Sequence, residues 1–158
     1  MEIVLSASVR EGGESDRDYV RDLGIRVAMT SVSPFRQVMD SLVALSYEKL
    51  LDFIFAQSHT ILIAEDEGRR VGFLLLLDGL PDEVSMAPQA FVAYMGVEPD
   101  VQRRGIGRAL LNAAEGLARE RGLPTIAMMV TESNVPALDL YTSSGYRTER
   151  RLLCKPLV

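Results

Sequence analysis

The residues most able to do chemistry lie in one short stretch before a predicted helix. From Val101 to Arg108 there are three arginines and two glycines, and no acidic residue. Glycines let a ligand approach the backbone closely, and the first turn of a helix offers unpaired N–H groups and a partial positive charge. This composition predicts a site for a ligand with several phosphates, formed by Gln102, Arg103, Arg104, Gly105, Ile106, Gly107 and Arg108.

Glycines before a helix also belong to three other arrangements. A solvated helix start whose glycines serve packing accounts for the same spacing, and this alternative stays open. A dinucleotide fingerprint requires a third glycine where Leu110 stands. A Walker A loop requires Gly-Lys followed by Ser or Thr, which this stretch lacks. The two best-known phosphate motifs are therefore rejected here.

A second group of residues follows downstream at helical spacing. Asn134, Ala137 and Tyr141 are separated by three and four positions, so a helix presents all three on one face. If this helix follows a parallel strand, the face lies near the carboxyl end of that strand, where open α/β sheets bind ligands. The alternative for Tyr141 is a core aromatic residue with a hydrogen-bonded hydroxyl group.

Strands and helices must position these two groups. Apolar runs and alternation predict strands over Glu2–Val9, Thr60–Ala64, Val71–Leu77, Ala90–Val97, Thr125–Val130 and Tyr146–Cys154. Apolar stripes at helical spacing predict helices around 19–27, over Arg36–Gln57, and from Ile106 to a stop at Gly122. A last helix is predicted to run to Ser144, with Ser133 or Asn134 as its cap and Gly145 as its end. The acidic-Gly-basic spacer at 65–70 predicts a hairpin, and the strand-helix-strand order over 90–130 predicts a parallel pair of strands.

Composition limits the classes of function. The length of 158 residues predicts one domain over 1–158, and 47% hydrophobic residues are enough for its core. A net charge of −5 argues against binding to nucleic acid or to an anionic membrane. A single cysteine, Cys154, and a single histidine, His59, exclude an internal disulfide and a Cys- or His-rich metal site. The N-terminus lacks the pattern of a signal peptide, so we expect a cytoplasmic protein.

Together the two motifs carry a family resemblance. Val97-x-Pro, Gln102-Arg-Arg-Gly-Ile-Gly107 and Asn134-x-x-Ala137-x-x-x-Tyr141 resemble the GNAT superfamily of acyl-CoA-dependent N-acyltransferases. The resemblance implies an α/β fold, with a mixed sheet of about six or seven strands flanked by about four helices. It also implies acetyl-CoA as cosubstrate, with its pyrophosphate in the 102–107 loop and Asn134 near its pantetheine arm. Tyr141 is then expected near the sulfur, and the remaining implied cofactor contacts are Met95, Gly96, Val97, Arg108 and Ala137.

The implied reaction is attack of a neutral amine on the thioester, which needs a stabilised leaving sulfur and a base. Tyr141 is the candidate for the first role. A phenol of pKa ~10 is a weaker acid than a thiol of ~8.5, so a hydrogen bond to the developing thiolate fits at least as well as proton donation. Many relatives carry a carboxylate on the strand before the phosphate loop, but Phe91–Val97 contains none. As base, Glu132 ranks slightly ahead of Glu98, with Tyr94 and a water as the alternative.

The sequence thus favours an N-acetyltransferase that moves the acetyl group of acetyl-CoA to a primary amine of a small molecule, a protein or a peptide. We predict no metal. A non-catalytic acyl-CoA-binding module is the first alternative, because the strand lacks its carboxylate. A structural or interaction domain whose glycine loop binds no ligand is the second. A free edge of the mixed sheet also allows a homodimer.

Overall fold

The computed structural model describes residues 7–158. Within that range a mixed sheet is formed by five strands: β1 (Ser8–Glu11), β2 (His59–Asp66), β3 (Arg69–Leu77), β4 (Ala90–Val97) and β5 (Ile126–Met128). Four α-helices accompany it: α1 (Arg17–Ala28), α2 (Asp40–Ala56), α3 (Ile106–Glu120) and α4 (Val135–Ser143). The predicted α/β class with about four helices is confirmed.

The strands lie in the sheet in their order along the chain. The first four pair antiparallel with their neighbours, and β5 pairs parallel with β4 through the crossover helix α3. The predicted hairpin joins β2 and β3 through Glu67 and Gly68, which have φ values of 49° and 78°. Positive φ at both central residues gives a tight turn whose twist matches that of the flanking strands.

Helices cover both faces of the sheet. Successive side chains of β3 point to opposite faces, so Phe73 and Leu75 pack with α1 and α2, whereas Leu74 and Leu76 pack with α3. All four side chains are fully buried. Each stabilises the fold by about 1.5–3 kcal/mol relative to an exposed position. This explains why the run 73–77 is apolar at every residue.

An irregularity in β4 separates its two halves. Leu75 pairs with Tyr94 and Leu76 pairs with Val92, so Ala93 is an extra residue on β4. Pairing with β5 ends at the same place, because Val92 opposite Met128 is its last pair. Beyond Val92, the edge of β4 that faces β5 therefore has no neighbouring strand among the residues that the structure describes.

The structure corrects three predicted elements. The sheet has five described strands rather than six or seven, because Tyr146–Cys154 forms no strand. A strand needs a neighbour for its backbone hydrogen bonds, and this segment has no such neighbour in residues 7–158. The second helix starts at Asp40 rather than at Arg36. For the predicted strand Glu2–Val9, residues 2–6 lie outside the described range, and the observed strand continues to Glu11.

Neither a membrane-spanning helix nor a metal-binding cluster occurs in residues 7–158. No helix in this range has the length and apolar character that crossing a membrane requires. The range also holds no group of three or more His, Cys, Asp or Glu side chains arranged to bind a metal ion.

Candidate functional site

The loop between β4 and α3 has an unusual backbone. After one turn of 3-10 helix, Pro99–Val101, both Arg103 and Gly105 adopt left-handed conformations, with φ values of 66° and 80°. Glycine adopts this conformation without strain, but for arginine it costs about 1 kcal/mol. The buried side chains of Val101 and Ile106 fix the two ends of the loop, while residues 102–105 are exposed. The fold therefore holds the loop in place and leaves its surface open.

The start of α3 combines open N–H groups with positive charge. Ala109 N–H donates to Gly105 O at 3.0 Å, which is the first hydrogen bond of the helix. The preceding N–H groups have no acceptor within α3 and carry its positive dipole end. Arg103 and Arg104 are exposed beside them. The neighbouring carboxylate of Asp100 is occupied by two hydrogen bonds from Arg69, of 2.8 and 3.1 Å. An anion is the natural ligand for this corner.

Two residues of the motif face α4 instead of the loop surface. Gly107 is buried, and a Cβ atom placed on it would lie 2.8 Å from Cδ2 of Leu140. The guanidinium group of Arg108 donates to Oγ of Ser143 at 2.8 Å. The glycine at 107 thus serves helix packing, and Arg108 joins α3 to the end of α4. Contact of either residue with a cofactor stays a prediction.

Helix α4 brings the second motif to the same region. Asn134 is the residue before its first turn, and its N–H donates to Thr131 O at 2.9 Å. Asn134, Ala137 and Tyr141 are all partly buried, as expected for one face of a helix. The ring of Tyr141 packs on the core beside α3, with its centroid 6.2 Å from that of Tyr146. The sequence prediction of a shared face is consistent with this placement.

The hydroxyl group of Tyr141 is an acid weaker than usual. Burial raises its pKa, and the nearby Tyr94 raises it further. Tyr141 is therefore protonated at neutral pH and able to donate a hydrogen bond. Tyr94 belongs to the irregular part of β4, and its own pKa is raised by burial and lowered by a hydrogen bond with Ser31.

Between the two motifs lies the unpaired edge of β4. Met95, Gly96 and Val97 follow the irregularity, where β5 no longer pairs. The side chain of Met95 points to α3, and a Cβ on Gly96 would press on Phe73 and Val27 at 3.0–3.1 Å. Both side-chain faces thus have close neighbours, and the backbone groups along the edge have no paired strand in the described residues. An extended amide-containing chain suits such an edge.

A hydrogen bond that the sequence did not indicate links the segment after β5 to the segment after α1. Oγ1 of Thr131, just after β5, donates to Ser31 O at 2.5 Å. Ser31 follows α1, so this bond joins segments that are 100 residues apart. No local pattern marks Thr131, because its partner is set by tertiary packing alone. The bond holds the segment after β5 against the segment after α1.

The two candidate bases lie in different environments. Glu98 is buried to 8% exposure, and both its oxygens accept hydrogen bonds from Arg26, at 3.1 and 3.2 Å. Burial raises the pKa of Tyr19 well above its usual range, and the negative charge of Glu98 raises it further. Glu132 is exposed in the turn between β5 and α4. Of the two carboxylates, Glu132 is the more accessible.

The residues present fit an acyl-CoA molecule. A diphosphate suits the open N–H groups and arginines before α3, and the unpaired backbone edge of β4 suits the pantetheine chain. Tyr141 packs beside this corner. The open edge and the exposed loop are the observations on which this fit depends.

Comparison with known proteins identifies the family. Residues 29–146, most of the chain, match the family model described as the Acetyltransferase (GNAT) family. A mycothiol acetyltransferase of Thermomonospora curvata is 38% identical over 86 residues, which cover 54% of this chain and 27% of that relative. The match thus spans about a quarter of the length of this curated relative.

Solved structures share the fold over nearly the whole chain. A Pyrococcus furiosus protein with a provisional acetyltransferase assignment has a TM-score of 0.82 and 24% identity, covering 96% of this chain and 99% of its own. An aminoglycoside N-acetyltransferase, AAC(6')-Iy, solved in complex with CoA, has a TM-score of 0.67 and 18% identity. The match covers 94% of this chain and 98% of that enzyme. At these identities the likeness concerns the fold. Because the family model matches residues 29–146, the chain belongs to the GNAT family of acetyltransferases.

Proposed function

We propose that this chain transfers the acetyl group of acetyl-CoA to a primary amine. The observation that carries the proposal is the contact of Gly107 with Leu140, which ties the helix after the anion-binding loop to the helix that bears Tyr141. Side chains of both helices pack on the same core cluster as Val92 and Met95 of the strand whose edge is open. One extended ligand is then held at its phosphate end by one helix and presented to a hydroxyl group by the next.

Each residue has a distinct task in this proposal. Arg103, Arg104 and the N–H groups of the first turn of α3 bind the diphosphate, and the backbone of Met95–Val97 binds the pantetheine chain. When bound, acetyl-CoA supplies the thioester that the amine attacks. Tyr141 donates a hydrogen bond to the leaving sulfur. Because burial raises its pKa above the usual value, complete transfer of its proton is less favourable than this hydrogen bond.

For the base we propose Glu132, acting directly or through water. Glu98 is held on both oxygens by Arg26, so removal of a proton by Glu98 would compete with its ion pair. The exposed carboxylate of Glu132 has room to accept a proton from an incoming ammonium group.

The acceptor is an amine of a small molecule or of a protein or peptide. The names of the relatives include mycothiol and aminoglycoside acetyltransferases, which favours an amine-bearing small molecule. Segments suited to line its pocket are the connection after Ser31 and the loop 78–88. A homodimer in the cytoplasm stays a prediction.

Charge reversal of the loop tests the cofactor site. We expect the triple variant Arg103→Glu, Arg104→Glu, Gly105→Val to weaken acetyl-CoA binding by ~100-fold, because it removes two cations and the left-handed glycine. Isothermal titration calorimetry with acetyl-CoA measures this directly. The control, Lys49→Glu with Arg119→Glu, makes the same change in charge at two other exposed positions and should bind normally. Equal affinity of the loop variant and the wild type would refute the proposed site.

The absence of a carboxylate in Phe91–Val97 favours one second candidate, a module that binds acyl-CoA without catalysis. A thiol-release assay with acetyl-CoA and a mixed panel of amines separates the two functions. Release above the rate without amine supports the transferase, and binding without release supports the module. If neither CoA nor acetyl-CoA at millimolar concentration raises the melting temperature, both fail and a structural domain remains.

A further inference from the structure

The segment 32–46 leads from the end of α1 into the first turns of α2, and both of its ends are held by contacts with other elements. Directly before it, the carbonyl oxygen of Ser31 accepts the hydrogen bond from Thr131 at 2.5 Å. Directly after it, the ring centroid of Tyr47 lies 4.9 Å from that of Tyr94. The segment therefore starts beside the end of β5 and returns to the irregular part of β4.

Both anchors of this segment lie next to residues of the proposed reaction. Glu132, the proposed base, directly follows Thr131. Tyr94 is a near neighbour of Tyr141, because it raises the pKa of the Tyr141 hydroxyl group. The segment 32–46 therefore borders the side of the site from which an amine reaches the thioester.

The exposed surface of this segment is apolar. Single exposed apolar residues are common on protein surfaces, but several large ones close together are typical of a binding site. Four such side chains occur within one short stretch: Phe35 is 58% exposed, Val38 46%, Met39 73% and Leu42 51%. A ligand with an apolar body would cover them.

Unpaired negative charge is scarce in the segments suited to line the acceptor pocket. Within 32–46 the charged residues are Arg36 and Asp40, which have opposite signs. The loop 78–88 contains three carboxylates, and an arginine neutralises each of them. The pairs are Asp78 with Arg121 at 3.1 Å, Asp82 with Arg150 at 2.9 Å, and Glu83 with Arg150 at 3.4 Å. A polycationic amine, which needs several carboxylates, is therefore poorly matched to these segments.

We propose, on the basis of the transferase function proposed above, that the acceptor is a small primary monoamine with an apolar body, which packs on Phe35, Met39 and Leu42 with its nitrogen towards Glu132. The ammonium group loses one proton to Glu132 or to water before it attacks. The nitrogen then bonds to the acetyl carbon, displaces the CoA sulfur as a thiolate, and loses a second proton as the amide forms. Apolar surroundings also favour a neutral amine over an ammonium ion, which suits a strand without a carboxylate.

Three amines with the same number of non-hydrogen atoms test this proposal: hexylamine, 5-aminopentan-1-ol and 1,5-diaminopentane. In the thiol-release assay we expect kcat/KM for hexylamine to exceed that for each of the others by ~10–100-fold, because a hydroxyl or a second ammonium group would be buried unpaired. An equal or greater kcat/KM for either polar amine overturns the apolar acceptor and leaves acetyl transfer in place. So does release from the mixed panel of amines but from none of these three. Release from no amine at all is a different result, which overturns the transferase itself and the acceptor with it.

The double variant Phe35→Ser with Met39→Ser tests where the preference arises. We expect it to lower the ratio of kcat/KM for hexylamine to that for 5-aminopentan-1-ol by ~10-fold, through a higher KM for hexylamine, because apolar contact area is lost. The matched control, Phe53→Ser with Leu157→Ser, changes an aromatic and an aliphatic residue that are exposed elsewhere, and it should keep the wild-type ratio. Far-UV circular dichroism shows that both variants are folded. Equal ratios in the two variants mean that another surface selects the amine, and overturn the proposal.

Discussion

Gly107 of α3 lies against Leu140 of α4 so closely that a Cβ on the glycine would be 2.8 Å from Cδ2 of the leucine. The glycine is in the first turn after the loop for which we propose anion binding, and Leu140 directly precedes Tyr141. Together with the bond from Arg108 to Ser143, this packing contact fixes α3, which follows the loop, against the helix that bears Tyr141. A larger residue at position 107 should change the distance between the two helices.

Gly107→Ala should separate the two helices. Forcing a methyl group into this contact costs about 1–3 kcal/mol of unfolding free energy unless Leu140 shifts. We expect the proposed turnover to fall more than acetyl-CoA affinity, because Tyr141 moves while the loop stays. Chemical denaturation and steady-state kinetics measure both effects. Gly116→Ala is the control in the same helix, since a Cβ there meets no atom within 4 Å, and it should stabilise by about 0.5–1 kcal/mol. A Gly107→Ala protein as stable and active as Gly116→Ala would contradict the prediction.

Tyr141→Phe should lower turnover about 10–1000-fold with little change in acetyl-CoA affinity, because it removes a hydrogen bond made mainly to the departing sulfur. Thiol release gives the rate and calorimetry gives the affinity. Tyr146→Phe is the matched control. Its hydroxyl group is buried without a hydrogen-bond partner, and its ring lies beside that of Tyr141. Similar rates for Tyr141→Phe and Tyr146→Phe would remove the Tyr141 hydroxyl from the mechanism.

The two candidate bases should respond differently to loss of charge. Glu132→Gln is expected to lower turnover about 10–100-fold at neutral pH without changing the melting temperature, since the side chain is exposed. Glu98→Gln is expected to destabilise by about 1 kcal/mol, because it weakens the pair with Arg26. Kinetics and thermal denaturation of both proteins measure these effects. A larger loss of turnover in Glu98→Gln would assign the base to Glu98.

Stability in acid should depend on Asp16. Its carboxylate is 1% exposed and binds Arg10, Arg70 and the N–H of Gly13. The hydrogen bonds from Arg10 lower its pKa from 3.8 to about 2, despite burial. A carboxylate with a lowered pKa in the folded state stabilises above its unfolded pKa, and this contribution is lost as the pH falls from about 4 to 2.

The wild type should lose about 2 kcal/mol of unfolding free energy through Asp16 as the pH falls from about 4 to 2, and Asp16→Asn should not show this loss. Urea denaturation between pH 2 and pH 7 measures the difference. Asp18→Asn is the control, because the Asp18 side chain is 92% exposed in the next turn. If both variants follow the wild-type dependence on pH, Asp16 does not account for acid unfolding.

Short-range spacing was enough to predict much of the fold. Apolar runs between turn signals identified β2, β3 and β4, and apolar stripes identified α1 and α3. Capping residues and a closing glycine identified α4. These elements are decided by neighbours within a few residues, which the sequence displays directly. The prediction of a strand over Tyr146–Cys154 was wrong, because the local sequence does not show whether a neighbouring strand is present. Its pattern is that of a strand, but a strand exists only where another one lies beside it.

The candidate site likewise depends partly on local spacing and partly on contacts between distant segments. The sequence by itself determined the glycine and arginine loop before a helix, and the placement of Asn134, Ala137 and Tyr141 on one helical face, since both depend on local backbone geometry. Only the tertiary structure decided that Gly107 packs on Leu140, and that Arg26 holds Glu98. It also decided that Thr131 bonds to Ser31. Such contacts join distant segments, and their partners depend on strand register and helix packing, which no local pattern encodes.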